Sequence, residues 1–226
     1  PPPPPPPLTA TATTEIYTQV NSSAASDVYK RQPYVNAQRP GRTCNGDTAF
    51  CGESGIIQAG DVLHTDVGIC YLHLCTDTQE MGYVLKLGEA EAPKGLIDAL
   101  KVGNRWQDLL TNEFVKGRTG NEITAATRAE CAREDIDCSV YTHAIGFFGH
   151  APGPTIGMWD DQDGTPVHGD WPVHANTCYA IEGNIKTPVP EWDGQLVQVK
   201  LEQSACFDGE TVHYLAGRQT NWHIVR

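Results

Sequence analysis

From residue 55 onward apolar and polar positions recur with regular periods, and before about residue 40 they do not. The stretch GIIQAGDVLHTDVGICYLHL (55–74) reads as a strand, a glycine-bearing turn and a second strand, and YVLKL (83–87) reads as a third. Asp66 and Asp77 then fall on neighbouring strands, where facing carboxylates can converge on one point. Between 93 and 135 the period becomes helical. Leu96, Leu100, Trp106, Leu110 and Phe114 make an apolar stripe, Pro93 suits a first helical turn, and Gly117 marks a stop. Thr119 and Glu122 stand at capping-box spacing and open a second helix through about Arg133, giving an antiparallel helix pair. After Ser139 the strand pattern returns in YTHAIGF, TCYAIEGNI and LVQVKLEQ, which carry His143, Glu182 and Glu202.

The first 40 residues contain seven leading prolines followed by a polar stretch with neither a helical nor a strand period. Such a segment buries too little apolar surface to offset its ordering entropy. Its SSAASDVYKRQ portion (22–32) reads as artefactual text. We therefore expect a disordered or artefactual leader over 1–40 and one domain over 41–226.

Composition narrows the function. The 226 residues are 39% hydrophobic, with 22 Gly and 16 Pro, as in a turn-rich α+β domain. A formal charge of −12 argues against a nucleic-acid partner, because neutralising phosphates needs clustered Lys and Arg. No run approaches the roughly 18 consecutive apolar residues of a membrane span, so no membrane partner is expected. Eight cysteines are present. Cys44 with Cys51 and Cys131 with Cys138 each enclose six residues, which permits short-range disulfides and a secreted or periplasmic location; buried thiols are the alternative.

The chemistry lies in Asp66, Asp77, His143, Glu182 and Glu202, four carboxylates and one imidazole. Each has a bland reading. Asp66 before Val-Gly can merely shape a turn, His64 is as much a strand-surface histidine as a functional one, and His143 or His150 alone suits a core. Glu182 and Glu202, however, follow apolar strand runs, where a carboxylate without metal or partner is costly to bury. Together the five read as a two-metal hydrolytic site. An oxygen-rich set with one imidazole suits Mn, Co, Fe or Zn.

The ordered texts GDVLHTDVGI, CTDTQEMGYVL, THAIGFFGH, YAIEGNI and VKLEQ resemble the pita-bread metallopeptidases: methionine aminopeptidase, aminopeptidase P, prolidase and the related creatinase. The eleven-residue step between the aspartates and the H-x-x-G-x-x-x-H pattern at His143 and His150 belong to that resemblance. GHAPGPTIGMWD and PVPEWDGQ lean it toward the Xaa-Pro peptidases. The resemblance implies a curved antiparallel sheet with helices on its outer face. It also implies two related halves, of which the first is partial here, so an N-terminally truncated domain is expected.

By the same resemblance Asp77 and Glu202 would bridge two divalent ions, most readily Mn, with Asp66 on the first and His143 and Glu182 on the second. A metal-bridged hydroxide would attack the peptide carbonyl, Glu182 would also shuttle the proton, and His150 would donate to the oxyanion. The implied activity is hydrolysis of Xaa-Pro bonds at the N-terminus of a short peptide, and a homodimer is one assembly it admits. The alternatives are a creatinase-type amidohydrolase and a pita-bread binding module without catalysis. Three family features are missing: a histidine upstream in CNGDTAFCGES, a histidine where Ser139 stands, and an arginine where Lys200 stands. Trp159, Trp171, Trp192 and Trp222 are candidates to line a proline pocket, Trp159 and Trp192 foremost, and GPTIG (153–157) is expected to turn the chain after His150.

Overall fold

A computed structural model describes residues 34–42 and 56–226. Two helices pack on one face of a large sheet, and the reason is visible in their sequence. In α1 (Lys94–Asn112), Leu96, Ala99, Leu100, Gly103, Trp106 and Leu110 recur every three or four residues and are all buried. Pro93 stands at the N-cap of α1, one position before the first helical residue. The second helix, α2 (Gly120–Arg133), opens with the full capping box: the Thr119 hydroxyl accepts from the Glu122 N–H, and the Glu122 carboxylate accepts from the Thr119 N–H at 2.8 Å. Gly117, within the link between them, has φ at +85°, a conformation glycine adopts without a Cβ penalty; α1 itself stops earlier, at Asn112.

The strands, in chain order, are β1 (Tyr34–Gln38), β2 (Val62–Val67), β3 (Cys70–Tyr71), β4 (Leu74–Cys75), β5 (Thr78–Val84), β6 (Asp137–Val140), β7 (Thr142–Ile145), β8 (Thr155–Ile156), β9 (Thr177–Val189), β10 (Gln195–Phe207), β11 (Val212–Tyr214) and β12 (His223–Val225). The main sheet runs β1-β2-β5-β10-β9-β7-β8, with β6 also on β9, β11 on β10 and β12 on β5. Its pairings are antiparallel except for β12 with β5. The long hairpin β9–β10 is its backbone, closed by a 3-10 turn at Pro190–Trp192 with Asp193 and Gly194 both at positive φ.

Two glycines let α1 sit close to this hairpin. A Cβ on Gly103 would lie 3.0 Å from the Leu201 side chain. One on Gly183 would lie 2.4 Å from the Trp106 ring and 2.3 Å from the Ser139 carbonyl. The indole therefore rests on bare backbone next to Glu182. Because strand side chains alternate, the odd-numbered residues of β9 and β10 (Tyr179, Ile181, Ile185, Val197, Val199, Leu201) face the core. The even-numbered ones, Glu182 and Glu202 among them, face away from the helices.

The structure departs from the sequence expectations at three places. Tyr34–Gln38, inside the segment read as leader, form β1 on the edge beside β2. Arg39 anchors that edge through a bidentate contact with buried Asp61, at 2.6 and 2.7 Å. Residues 56–75 hold the six-residue strand β2 followed by a two-stranded hairpin of β3 and β4, where a strand, turn and strand were expected over 55–74. The third strand begins at Thr78 instead of Tyr83, because polar Gln79 and Glu80 break the apolar pattern that marks a strand.

Candidate metal centre

One rung of the sheet carries most of the site. Asp66 on β2 pairs with Gln79 on β5, Gln79 pairs with Glu202 on β10, and Glu202 pairs with Glu182 on β9. Directly opposed residues point to the same side, so these four side chains line up across four strands. Asp77 lies two residues before Gln79, on the same side by alternation, and its N–H approaches the Ser204 hydroxyl at 3.5 Å. His143 on β7 pairs with Ala180, two residues from Glu182, which brings it to the adjacent rung. His150 returns from the loop after β7, and its ring stacks on His143 with centroids 3.8 Å apart. The GPTIG segment, expected as a turn after His150, instead contains strand β8: Thr155 and Ile156 pair with His143 and Thr142 of β7.

The ligand atoms converge. His143 Nε2 lies 3.5 Å from Glu182 Oε2, 3.6 Å from Glu202 Oε1 and 3.8 Å from Asp77 Oδ2. His150 Nε2 is also 3.8 Å from Asp77 Oδ2. Three sets of donors fall within 4.8 Å of one another: Asp66, Asp77 and Glu202; His143, Glu182 and Glu202; Asp77, His143 and His150. All five residues proposed as ligands from sequence are thus brought together, with His150 beside them.

This much acid in one place is costly without a counter-charge. Asp77, His143 and Glu202 are buried, and Asp66 and Glu182 are half-buried. Burial pushes the Glu182 carboxyl up to about 7, with His143 pulling against it and Asp77 and Asp66 adding to it. Burial, then the charge of Glu182, pushes Glu202 up to about 8. Burial alone would lower the His143 imidazole, but its contacts with Glu182 and Glu202 outweigh that and raise it to about 10. Glu182 Oε2, Glu202 Oε1 and His143 Nε2 are all buried without a hydrogen-bond partner among the described residues. Buried polar atoms are normally satisfied, and orphaned carboxylate and imidazole atoms pointing at one another fit divalent cations.

Sequence reasoning left His64 open between a strand-surface and a functional role, and it missed Gln79. His64 is buried, with Nδ1 at 3.2 Å from Asn36 Oδ1 and Nε2 at 2.7 Å from Gln79 Oε1. Gln79 in turn donates from Nε2 to Glu182 Oε1 at 2.5 Å. The available signal was alternation: His64 and Gln79 each stand two residues from a ligand aspartate and so share its face. Two other expectations are corrected. Trp192 is buried in the core; Trp222 is buried with its N–H on the Leu96 carbonyl and lines a cavity with Thr78, Glu80 and Arg218, none of them a proposed ligand; Trp159 and Trp171 are exposed. Cys131 and Cys138 are separate thiols, and the disulfide among the described residues joins Cys70 and Cys75, opposed in the β3–β4 hairpin. That removes one of the two pairings behind a secreted or periplasmic location, and Cys44 and Cys51 lie outside the described residues. No helix among the described residues is long and apolar enough to cross a membrane.

Fold and donor set define a domain that gathers acidic and imidazole ligands on the sheet face opposite its helices. The model of metallopeptidase family M24 matches residues 13–207, and the chain belongs to that family. No curated protein sequence matches it. Among solved structures it is similar to an X-Pro aminopeptidase from Thermotoga maritima, with a TM-score of 0.60 at 15% identity over 86% of this chain and 49% of that one. It is similar to a prolidase from Thermococcus sibiricus, with a TM-score of 0.60 at 14% identity over 96% of this chain and 52% of that one. It is also similar to the N-terminal domain of the FACT complex subunit SPT16 from chickpea, with a TM-score of 0.53 at 12% identity over 83% of this chain and 42% of that one. These likenesses establish the pita-bread fold. The chain spans about half the length of the two Xaa-Pro peptidases.

Proposed function

We propose that this chain is the catalytic part of a peptidase that holds two divalent ions and hydrolyses the bond before proline near the N-terminus of a short peptide. The observation that carries this reading is the pair of donor sets that share Glu202: Asp66 and Asp77 on one side, His143 and Glu182 on the other. One carboxylate common to two triads is what a bridged ion pair requires. Asp77, which shares one set with Asp66 and Glu202 and another with His143 and His150, would be the second residue held in common between the ions. Oxygen-rich ligation favours Mn, with Co, Fe or Zn as substitutes.

When bound, the ions supply a nucleophile by acidifying water and polarise the scissile carbonyl. The protein supplies the rest. Glu182 takes the proton of the attacking water and passes it to the leaving amine. His150, stacked on His143 at the edge of the site, donates to the carbonyl oxygen as negative charge develops there, a contact worth roughly 2.7 to 4 kcal/mol. A creatinase-type amidohydrolase or a non-catalytic module has no need for all five acidic and imidazole ligands, and their retention disfavours both.

Elemental analysis of the purified chain after incubation with Mn, together with an assay on Xaa-Pro peptides, tests the proposal. About two ions per chain is the expected result, lost in the Asp66→Asn, Asp77→Asn double variant along with peptide cleavage. A folded chain that takes up no metal would overturn it.

A further inference from the structure

The rung of acidic side chains contains one residue that is not acidic. Gln79 stands between Asp66 and Glu202, opposite both, and is buried. Its amide reaches past Glu202 to Glu182. The Gln79 amide donates from Nε2 to Glu182 Oε1 at 2.5 Å. That assignment turns Gln79 Oε1 toward His64 Nε2, 2.7 Å away, and makes the histidine the donor there. His64 is held from the other side by Asn36 Oδ1, 3.2 Å from Nδ1. The backbone at Gln79 is pinned as well: its carbonyl accepts from Gln203 Nε2 at 3.2 Å, and Gln203 accepts from Gln107 of α1 at 2.6 Å.

We propose that Gln79 is a positioning residue for Glu182, oriented by His64, and that it commits one oxygen of that carboxylate to an amide so that only the other is left to hold metal. The division is visible in the two oxygens. Oε1 receives the amide, whereas Oε2 is buried without a hydrogen-bond partner among the described residues and faces His143 Nε2 at 3.5 Å. A carboxylate tethered in this way cannot swing to chelate an ion with both oxygens, and it keeps one rotamer while the ion is absent. Groups that orient a ligand from behind commonly govern metal affinity by about 10- to 100-fold. The inference rests on the dinuclear reading above and adds to it what fixes the second ion's glutamate.

Calorimetric titration of metal-free full-length chain with Mn(II), beside thermal melts, tests the relay in the wild type, Gln79→Met, His64→Leu and the double variant. Gln79→Met keeps the unbranched shape while removing donor and acceptor. We expect it to weaken the second ion by about ten-fold or more, His64→Leu to weaken it by less, and the double variant to match Gln79→Met alone, since the histidine acts only through the amide. Factors that multiply instead indicate two independent packing defects and overturn the relay. A folded Gln79→Met with wild-type affinity also overturns it. Should that variant fail to fold, Gln79→Asn, which keeps the amide but withdraws it by one methylene, replaces it, and wild-type affinity is again the contrary result. A wild-type chain that takes up no Mn(II) overturns the dinuclear reading and this proposal together, whereas two ions with an indifferent Gln79 overturns this proposal alone.

Discussion

Glu182 and Glu202 face each other directly across β9 and β10, so two carboxylates occupy one rung of an antiparallel ladder. Like charges so placed are destabilising, and here both are withdrawn from solvent with their free oxygens turned toward His143. A pair this unfavourable in isolation is the chief physical reason to place cations between β2, β5, β9 and β10.

Replacing Glu182 with Gln keeps the shape of the side chain but removes its charge and its capacity to take a proton. The expected outcome is a folded protein whose peptide turnover falls by about 10²- to 10⁴-fold and whose second ion is bound more weakly. Circular dichroism, metal content and initial rates on an Xaa-Pro peptide check this together. Undiminished turnover would contradict the role given to Glu182.

His150→Ala separates oxyanion stabilisation from metal holding. Turnover should fall by about 10²- to 10³-fold with metal content unchanged. Because His150 Nε2 stands as near Asp77 as His143 Nε2 does, a parallel fall in metal content would make it a ligand instead.

The raised glutamates make a statement about pH. Glu182, at about 7, and Glu202, at about 8, hold their protons more tightly in the folded chain than an ordinary glutamate does. Their contribution to stability is therefore full below about pH 4.3, the unperturbed value, and is lost as pH rises through the folded values. His143, raised to about 10, acts in the same direction at higher pH. Metal-free protein should accordingly melt at a lower temperature at about pH 9 than at about pH 5.5, and saturating Mn should remove most of the difference because ions replace the protons. A flat metal-free profile would contradict the burial of these carboxylates.

Gly183→Ala places a methyl group into the Trp106 ring and the Ser139 carbonyl. The indole must move or β9 must shift beside Glu182, at a cost of about 1–3 kcal/mol, the usual range for overpacking. Chemical denaturation measures the loss. A variant as stable as the wild type would show that α1 does not lie on β9 as closely as described.

Much of this arrangement was legible before any coordinates. The stripe Leu96, Leu100, Trp106, Leu110 and the Thr119–Glu122 box marked both helices, because helical periodicity and capping are local properties. Glu182 and Glu202 stood out as acids placed after apolar strand runs, a combination with few structural explanations. What could not be read was pairing. That Gln79 stands opposite Asp66 and Glu202 depends on register between strands far apart in the chain, and polar Gln79 and Glu80 hid the start of β5. The β1 segment was missed for a related reason: Asn36, Gln38 and Arg39 are polar, and they are fixed by His64, Gln198 and Asp61, which lie outside their own stretch.

The distribution of the ligands over β2, the approach to β5, β7, β9 and β10 has a kinetic consequence. No short piece of the chain contains both donor sets, so on the proposed dinuclear reading neither ion would be captured until β2 and β10, far apart in the sequence, have met on either side of β5. Contacts of that range close large loops and form slowly. Metal uptake is thus a late event that reports complete assembly, and an ion at 1,000 times its dissociation constant would hold the finished sheet by about 4.1 kcal/mol. On the dinuclear reading, a chelator would lower the melting temperature of a chain that still folds without its ions, by withdrawing that increment.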